Sequence, residues 1–321
     1  MPITYAEGVA CASKLMTAFA AGFAKNNHAE TTAGFFADEL SWDWSDGTKG
    51  EGKLSEIMGV MAKSWGFMVD SFHPLNTAVV VDTDRSIVFI SCDLVLNITG
   101  GLADENNPVG NKAVFVLHLD NGNCLGFGKK IVKWDGYWDQ NHPGLKSAFQ
   151  SVLPKLGMDA PETPKAPFPI TAVDGEAYAV AAIAAFAAGF KANNHAETMA
   201  PYIAEELSWN WTDRSGKGKM SELMKTMAES WGFMVDSFML PAPKVVVDTD
   251  HSVITVAGQL VINITGGLAT ENNAVRGDIA MVFTLDKTKK ATQWDILWDN
   301  NNPNMTPVLA KVSAKLGAAK Q

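Results

Sequence analysis

Two aspartates and a tyrosine alternate near the middle of the chain, in a pattern that could support proton transfer. Asp135, Tyr137 and Asp139 share one face of a strand, because successive side chains of a strand point to opposite sides. In the related segment 294–299, Asp295 is retained and a leucine replaces the tyrosine. If this face lines a pocket, burial raises the carboxyl pKa and an acid–base role follows. The alternative is a solvated face, which is favoured because tryptophan usually takes the inward face of such a strand.

A second pair of aspartates follows a Trp-Gly-Phe-Met-Val segment that occurs twice. Asp70 and Asp236 would be acid–base candidates if buried, although such a residue more often ends a helix or strand in a hydrogen-bonded turn. Asp43 is a weaker candidate, because its counterpart is Asn210 and a carboxylate needed in both places would not become an amide.

Tryptophan is the residue type that recurs most regularly. The five tryptophans within residues 42–138 each have a counterpart among the five within residues 209–298. We interpret these indoles as core or as pocket wall. Two asparagines that precede Thr-Gly-Gly either place an amide at the pocket rim or end a strand in a turn. The predicted ligand-binding residues are Trp42, Trp44, Trp65, Trp134, Tyr137, Trp138, Asn97, Trp209, Trp211, Trp231, Asn263, Trp294 and Trp298.

The pairing extends along the whole chain, so the sequence is one unit written twice. Residues 64–72 recur unchanged as 230–238, and 97–103 recur as 263–269. The segment between the copies, MDAPETPKAPF, is Pro-rich and typical of a semi-rigid linker. We therefore predict a first repeat at 1–157, a linker at 158–168 and a second repeat at 169–321.

Within one copy the periodicity predicts helices first and strands afterwards. Leu15, Phe19 and Phe23 are spaced as one helical stripe, a short second helix follows through Phe36, and a third is predicted at Lys53–Trp65. The predicted strands are Leu40–Trp44, Ala78–Val81, Ser86–Ile98, Ala113–Leu119 and Lys130–Asp139. This order predicts an α+β domain with helices on one face of a curved sheet.

Over almost the whole of each copy, this order resembles the NTF2-like, or SnoaL-like, superfamily. The resemblance rests on two short helices, a Trp-bearing strand, a third helix and a meander ending in KIVKWDGYWD at 130–139. It implies two tandem cone-shaped domains, each with three N-terminal helices packed on a curved, mostly antiparallel sheet around an apolar pocket. The superfamily includes isomerases, epoxide hydrolases, dehydratases, polyketide cyclases, metal-free carbonic anhydrases and non-catalytic modules, so the fold leaves function open. The His-His-Ser-Ser element of those carbonic anhydrases is absent from this last strand.

His28 and His195 are the only histidines that recur in both copies. They fall between the first two helices, where the resemblance implies a solvent-exposed loop, so helix capping is favoured over catalysis. The sequence has no H-x-x-x-H pair, no cysteine pair at ligand spacing and no phosphate-binding or dinucleotide-binding motif. We therefore expect neither a metal nor a cofactor.

The composition argues against some classes of binding partner and favours a reducing compartment. The net charge of −9 disfavours nucleic acid and anionic membranes, which would repel the chain. The three cysteines lie in the first copy and have no cysteine counterparts, which favours the cytoplasm or another reducing compartment. The apolar stretch 10–24 lacks a preceding basic region and has a counterpart at 176–190, so we expect a core helix and not a signal peptide.

Three hypotheses for function remain open. The first is a cofactor-free lyase, isomerase or hydrolase, in which one pocket aspartate moves a proton on a small apolar or carbonyl-bearing molecule. The second is a non-catalytic binding or carrier protein that uses the same cavity. The third is a scaffold in which the two repeats pack as an intramolecular pseudo-dimer, because NTF2-like domains commonly dimerise through their sheets.

Overall fold

The computed structural model describes most of the chain. The described residues are 3–25, 27–45, 49–61, 69–98, 109–120, 129–139, 142–152, 168–212, 214–227, 235–264, 275–299, 301–302, 304–307 and 310. The chain divides into two compact units. The first contains 1–81, 85–169 and 248–251, and the second contains 82–84, 170–247 and 252–321.

The first set of elements contains four helices and six strands among the described residues. They are α1 Tyr5–Lys25, α2 His28–Thr32, β1 Phe36–Trp44, β2 Lys49–Lys53, α3 Leu54–Met61, β3 Val69–Asp82, β4 Ile87–Ile98, β5 Val109–Leu119, β6 Ile131–Trp138 and α4 Pro143–Val152. The strand order is β2-β1-β6-β5-β4-β3. β1 pairs with β6 in parallel, whereas β5 pairs antiparallel with both β4 and β6. The sheet is therefore mixed.

The second set repeats this layout. Its elements are α5 Ala172–Ala192, α6 His195–Met199, β7 Ile203–Trp211, β8 Arg214–Lys219, α7 Met220–Met227, β9 Val235–Met239, β10 Lys244–Asp248, β11 Val253–Ile264, β12 Val275–Leu285 and β13 Ala291–Trp298. The order is β10-β11-β12-β13-β7-β8, with β9 also paired to β11. β7 pairs with β13 in parallel. Each unit is thus α+β, as predicted, while the tandem cone arrangement stays a prediction.

Each long N-terminal helix buries one stripe against its sheet. Leu15, Phe19 and Phe23 of α1 are buried, as the i, i+4, i+8 spacing predicts, and α5 buries its own stripe in the same way. A Cβ built on Gly8 would lie 2.6 Å from Val81, so glycine permits the close approach of α1 to β3. Full burial of each large apolar side chain contributes about 2 kcal/mol. α1 is therefore a core helix of the unit.

One described helix, α5, is long and apolar enough to cross a membrane by length and composition alone. This is weak evidence for a span, because 44% of its most apolar window is buried within the protein. The predicted cytoplasmic location stays a prediction.

Several element boundaries differ from the sequence-based prediction. The second helix ends at Thr32, and Phe36 begins β1 instead of closing a helix. β3 begins at Val69, well before the predicted start at Ala78. The edge strand β2, KGEGK, was not predicted because it has no apolar alternation. The helix α4 was not predicted; it begins at Pro143, because proline fits the first position of a helix.

Candidate functional site

The first unit contains a cavity of about 70 Å³ between α1 and the sheet. Its walls come from α1, β1 and β3 to β6, so both the helix stripe and the inward face of the sheet form it. The volume lies below the roughly 300–1,000 Å³ of pockets for drug-sized ligands, so only a small molecule fits without rearrangement. The lining residues are Phe19, Phe23, Trp44, Phe72, Leu94, Leu96, Asn111, Phe115, Trp134 and Trp138.

Aromatic rings hold one another in place along this wall. The rings of Trp44 and Trp134 meet edge-on with centroids 4.7 Å apart, and Phe19 lies 5.0 Å from Trp134. Phe23 and Phe72 stack with centroids at 5.4 Å and an interplanar angle of 15°. Such pairs add about 0.5–1.5 kcal/mol each beyond their buried area. The wall is therefore rigid and apolar.

Two hydrogen-bond donors in this wall have no acceptor within the described part of the chain. They are the indole Nε1 atoms of Trp44 and Trp134, whose side chains are buried at 3% and 5% exposure. A buried indole N–H usually finds a partner, and leaving it without one costs about 1–3 kcal/mol. Both nitrogen atoms are themselves buried, so the surface that the wall presents to a ligand is almost entirely carbon.

Asn111 is the polar side chain among the described lining residues. Its Nδ2 donates to the backbone oxygen of Asp139 at 3.0 Å, and its Oδ1 accepts from the backbone N–H of Lys112 at 2.8 Å. An amide has two N–H donors and two acceptor lone pairs, so one of each remains for another partner. The side chain is thus anchored to the backbone, and its polar atoms contribute almost nothing to the surface of the cavity.

Gly136 lets the indole rings of Trp44 and Trp138 pack close to the backbone of β6. A Cβ at this position would lie 2.8 Å from Cζ3 of Trp138 and 3.2 Å from Cδ1 of Trp44. Both distances are shorter than ordinary van der Waals contact, so a side chain at 136 would displace the two indoles. Glycine here lets the aromatic rings close onto the strand.

The second unit has a cavity of the same volume, about 70 Å³, but its described lining is apolar apart from the tryptophan N–H groups. The lining residues are Phe186, Phe190, Trp211, Met227, Val235, Phe238, Leu260, Ile262, Ile279, Ile296, Trp298 and Met305. The indole Nε1 of Trp211 has no hydrogen-bond partner among the described residues. Trp294 is fully buried and does not line this cavity.

The predicted ligand-binding residues divide into three groups. Those that line a cavity are Trp44, Trp134, Trp138, Trp211 and Trp298. Those that lie elsewhere are Trp42, Tyr137, Asn97, Trp209, Asn263 and Trp294. Trp65 and Trp231 lie outside the described residues. Asn111 was not predicted, although a polar residue on the apolar face of an alternating strand was the signal that could have revealed it.

The carboxylate face of β6 lies opposite the cavity, since Trp134 and Trp138 line the cavity and Asp135 alternates with them. Asp135 is buried, and its Oδ2 accepts from Nζ of Lys133 at 2.6 Å. Burial raises the pKa of Asp135, and the Lys133 ammonium partly offsets that rise. The cavity therefore receives the aromatic face of β6.

The remaining predicted acids are also absent from the described cavity walls. Asp295 is half-buried, and its Oδ2 accepts from Nε2 of Gln293 at 2.8 Å. Asp236 is exposed on β9. Asp70 lies in β3, and its side chain is outside the described part. Catalytic roles for these residues stay predictions that their placement does not support.

The expectation that the paired histidines lie in an exposed loop was wrong. His28 and His195 are 4% and 2% exposed and begin α2 and α6. Asn27 and Asn194 cap these helices instead. The His28 ring meets Phe23 edge-on at 4.2 Å, behind the cavity wall. Burial lowers the pKa of both histidines to about 4, so both rings are neutral near pH 7.

The described residues contain no group of three or more His, Cys, Asp or Glu side chains that could hold a metal ion. The cavity of the first unit therefore offers a ligand apolar contact, because its described lining presents almost no polar surface.

No family profile matches the chain, and no curated protein matches it. Among solved structures, PrhC from Penicillium brasilianum is 12% identical with a TM-score of 0.36, over 46% of this chain and 92% of that one. An LEH-like epoxide hydrolase from M. tuberculosis is 15% identical with a TM-score of 0.32, over 44% and 97%. An NTF2-like protein from Exiguobacterium sp. 255-15 is 8% identical with a TM-score of 0.31, over 38% and 98%. These likenesses carry nothing about activity; the Exiguobacterium protein is itself described as NTF2-like.

Proposed function

We propose that the cavity of the first unit binds a small, neutral, apolar molecule. The observation that carries this proposal is the surface of the cavity, which is formed by aromatic rings and leucine side chains and to which almost no polar atom is exposed. An apolar ligand that enters the cavity leaves water without leaving a polar group of its own unpaired.

The chemistry of the wall supports a neutral ligand. The lining contains no charged side chain among the described residues, so a ligand carboxylate or ammonium would lose its hydration without an ionic partner. A hydroxyl or carbonyl group of a ligand would likewise lose its hydrogen bonds to water, because almost no polar atom faces the cavity.

The proposal is tested by following the indole N–H signals of ¹⁵N-labelled protein during titration with 2-methylpropene, whose small size suits a cavity of about 70 Å³. We expect the Trp44 and Trp134 signals, assigned by Trp44→Phe and Trp134→Phe, to shift as the probe packs against their rings. Trp42 is the internal control, because its ring lies outside the cavity. Unchanged Trp44 and Trp134 signals at the highest soluble concentration of the probe would refute the proposal.

A second candidate is a cofactor-free lyase, isomerase or hydrolase in which Asp135 moves a proton. The raised pKa of this buried carboxyl is the observation that favours it. Its position on the face of β6 opposite the cavity would require a separate substrate site. The two candidates are distinguished by Asp135→Asn, which leaves binding of 2-methylpropene unchanged if the cavity alone binds the ligand.

A further inference from the structure

We propose that Ser45, Asp248 and His251 form a hydrogen-bonded chain that positions the cavity wall of the first unit and makes its affinity for ligand depend on pH. This inference rests on the proposed function. All three residues belong to the first unit, which includes residues 248–251. Ser45 and Asp248 are each 2% exposed, whereas the His251 side chain is 31% exposed, so the chain leads from solvent to the back of the wall.

Ser45 joins the two strands from which the indoles of the wall extend. It follows Trp44, the last residue of β1, and its backbone N–H donates to the carbonyl oxygen of Gly136 on β6 at 2.9 Å. Its Oγ accepts from the backbone N–H of Trp138 at 3.0 Å. The rings of Trp44 and Trp138 both line the cavity and both pack against Gly136. The hydroxyl therefore fixes the spacing of the backbone segments that carry these two rings.

Asp248 orients this hydroxyl. The Oγ of Ser45 has one proton to donate, and two acceptors lie within reach, namely Oδ2 of Asp248 at 2.6 Å and the Gly136 carbonyl oxygen at 3.3 Å. The bond to the carboxylate is shorter and is assisted by charge, so the proton points to Asp248 and a lone pair stays available to the Trp138 N–H. A buried carboxylate is costly unless hydrogen bonds compensate its charge, so Asp248 depends on its partners in turn.

His251 is the titrating end of the chain. Its Nδ1 lies 2.9 Å from Oδ2 of Asp248, and its backbone N–H donates to Oδ1 of the same carboxylate at 3.1 Å. The hydrogen bond to Asp248 raises the pKa of His251 against the effect of burial, and the charges of Asp248, Asp250 and Asp43 act in the same direction. By linkage, the ion pair is fully present below the pKa of an ordinary histidine and is lost as the pH rises through the raised pKa. The wall should therefore be held most firmly at low pH.

The second unit has the same arrangement at its own wall. Thr212 occupies the position of Ser45, and its Oγ1 donates to Oδ2 of Asp82 at 2.8 Å. The same Oγ1 accepts from the backbone N–H of Trp298 at 2.9 Å, and Trp298 lines the second cavity. A hydroxyl held by a carboxylate thus positions a tryptophan of the wall in both units.

The end of the chain differs between the two copies. The residue that corresponds to His251 in the repeat is Arg85, whose guanidinium stays protonated throughout the accessible pH range. We therefore expect no comparable pH dependence at the second cavity, which serves as an internal control.

The first test follows the backbone amide signal of Trp138 in the free ¹⁵N-labelled protein between pH 5.5 and pH 9. We expect this signal to titrate with the same midpoint as the His251 ring, above that of an ordinary histidine, because the amide donates to Ser45. His251→Arg keeps the positive charge and should abolish the titration. The Trp298 amide should not titrate with that midpoint. A Trp138 signal that does not follow His251 would overturn the inference.

The second test measures the affinity of 2-methylpropene for each cavity. Indole signals of Trp44 and Trp134 report the first cavity, and those of Trp211 and Trp298 report the second. Between pH 6 and pH 9, affinity at the first cavity should fall roughly twofold or more, because a less firmly held wall must be ordered on binding. Affinity at the second cavity should stay constant, and His251→Arg should keep the first cavity at its low-pH affinity.

Variants of Ser45 separate positioning from a general loss of stability. Ser45→Ala removes the hydroxyl and should lower the affinity of the first cavity roughly fivefold or more. Ser45→Thr introduces the residue that the second unit uses, so it should retain both the wild-type affinity and the titration of Trp138. If Ser45→Ala folds poorly, Ser45→Thr and His251→Arg still test the chain, because each keeps the hydrogen-bonding group that its position needs.

The outcomes are distinct. Equal affinities for wild type and Ser45→Ala would overturn this inference while leaving the proposed function intact. The same pH dependence of first-cavity affinity in wild type and His251→Arg would also overturn it. Absence of any indole shift with 2-methylpropene would overturn the proposed function, and this inference with it.

Discussion

Replacing His28 with leucine should remove part of the protein's sensitivity to acid. The ring is buried behind the cavity wall against Phe23, and burial lowers its pKa from 6.5 to about 4. The unfolded chain therefore binds a proton at a pH where the folded chain does not. By linkage, the stabilising contribution is present above about pH 6.5 and is lost as the pH falls toward 4.

The size of the effect follows from the shift. Between pH 7 and pH 5, a group with pKa 6.5 unfolded and about 4 folded costs the native state about 2 kcal/mol. We expect the unfolding free energy of the wild-type chain to fall by about that much more than that of His28→Leu over this interval. Other titrating groups cancel in this difference, because both proteins carry them.

The assay is urea denaturation at pH 7 and pH 5, followed by tryptophan fluorescence. His73→Gln is the matched control, because His73 is an exposed residue of β3. It should leave the pH dependence of the wild-type chain unchanged. If His28→Leu loses as much stability between pH 7 and pH 5 as the wild type, the buried neutral histidine is not what makes the fold acid-sensitive.

Two further predictions concern single positions. Gly136→Ala should lower the free energy of unfolding by about 1–3 kcal/mol, because the added Cβ would lie 2.8 Å from the Trp138 ring. Gly110→Ala is the control and should change it little, since nothing lies within 4 Å of a Cβ there. Thermal unfolding compares the two variants, and an equal loss of stability would contradict the close-packing argument. Asn27→Ala should cost about 0.5–2 kcal/mol by removing the cap of α2, which denaturation would measure; a change below that range would mean that its bond to the Glu30 N–H contributes little.

Much of the fold was predictable from the sequence. The buried stripe of α1 and the positions of β4 and β6 follow from periodicity, because the apolar spacing of helices and strands differs. β2 and α4 were not predictable in this way. β2 is a polar edge strand, and α4 begins at a proline that also fits a turn.

The site was less predictable, because its character depends on which side chains share a wall. Pairing of tryptophans between the copies suggested equivalent roles, yet Trp134 lines a cavity and Trp294 does not. The first copy has Gly136 where the second has Ile296, and the effect of this difference on the tryptophans depends on the neighbouring strands. The pairing of histidines likewise gave no indication that Gly22 would leave space for the buried ring of His28.

The three functional hypotheses rest on different observations. The binding hypothesis rests on the aromatic, apolar cavity of the first unit. The catalytic hypothesis has Asp135, on the opposite face of β6. Packing of the repeats as a pseudo-dimer stays a prediction from the resemblance. These hypotheses are compatible, but only the first has its residues around one cavity.

The affinities of 2-methylpropene and acetone for the first cavity, measured from the indole signals of Trp44 and Trp134, test the central claim most directly. The two probes have nearly the same shape and differ in C=CH2 against C=O. Because almost no polar atom faces the cavity, the alkene should bind more tightly than the ketone by roughly fivefold or more. Equal or tighter binding of acetone would contradict the claim that the cavity selects apolar molecules.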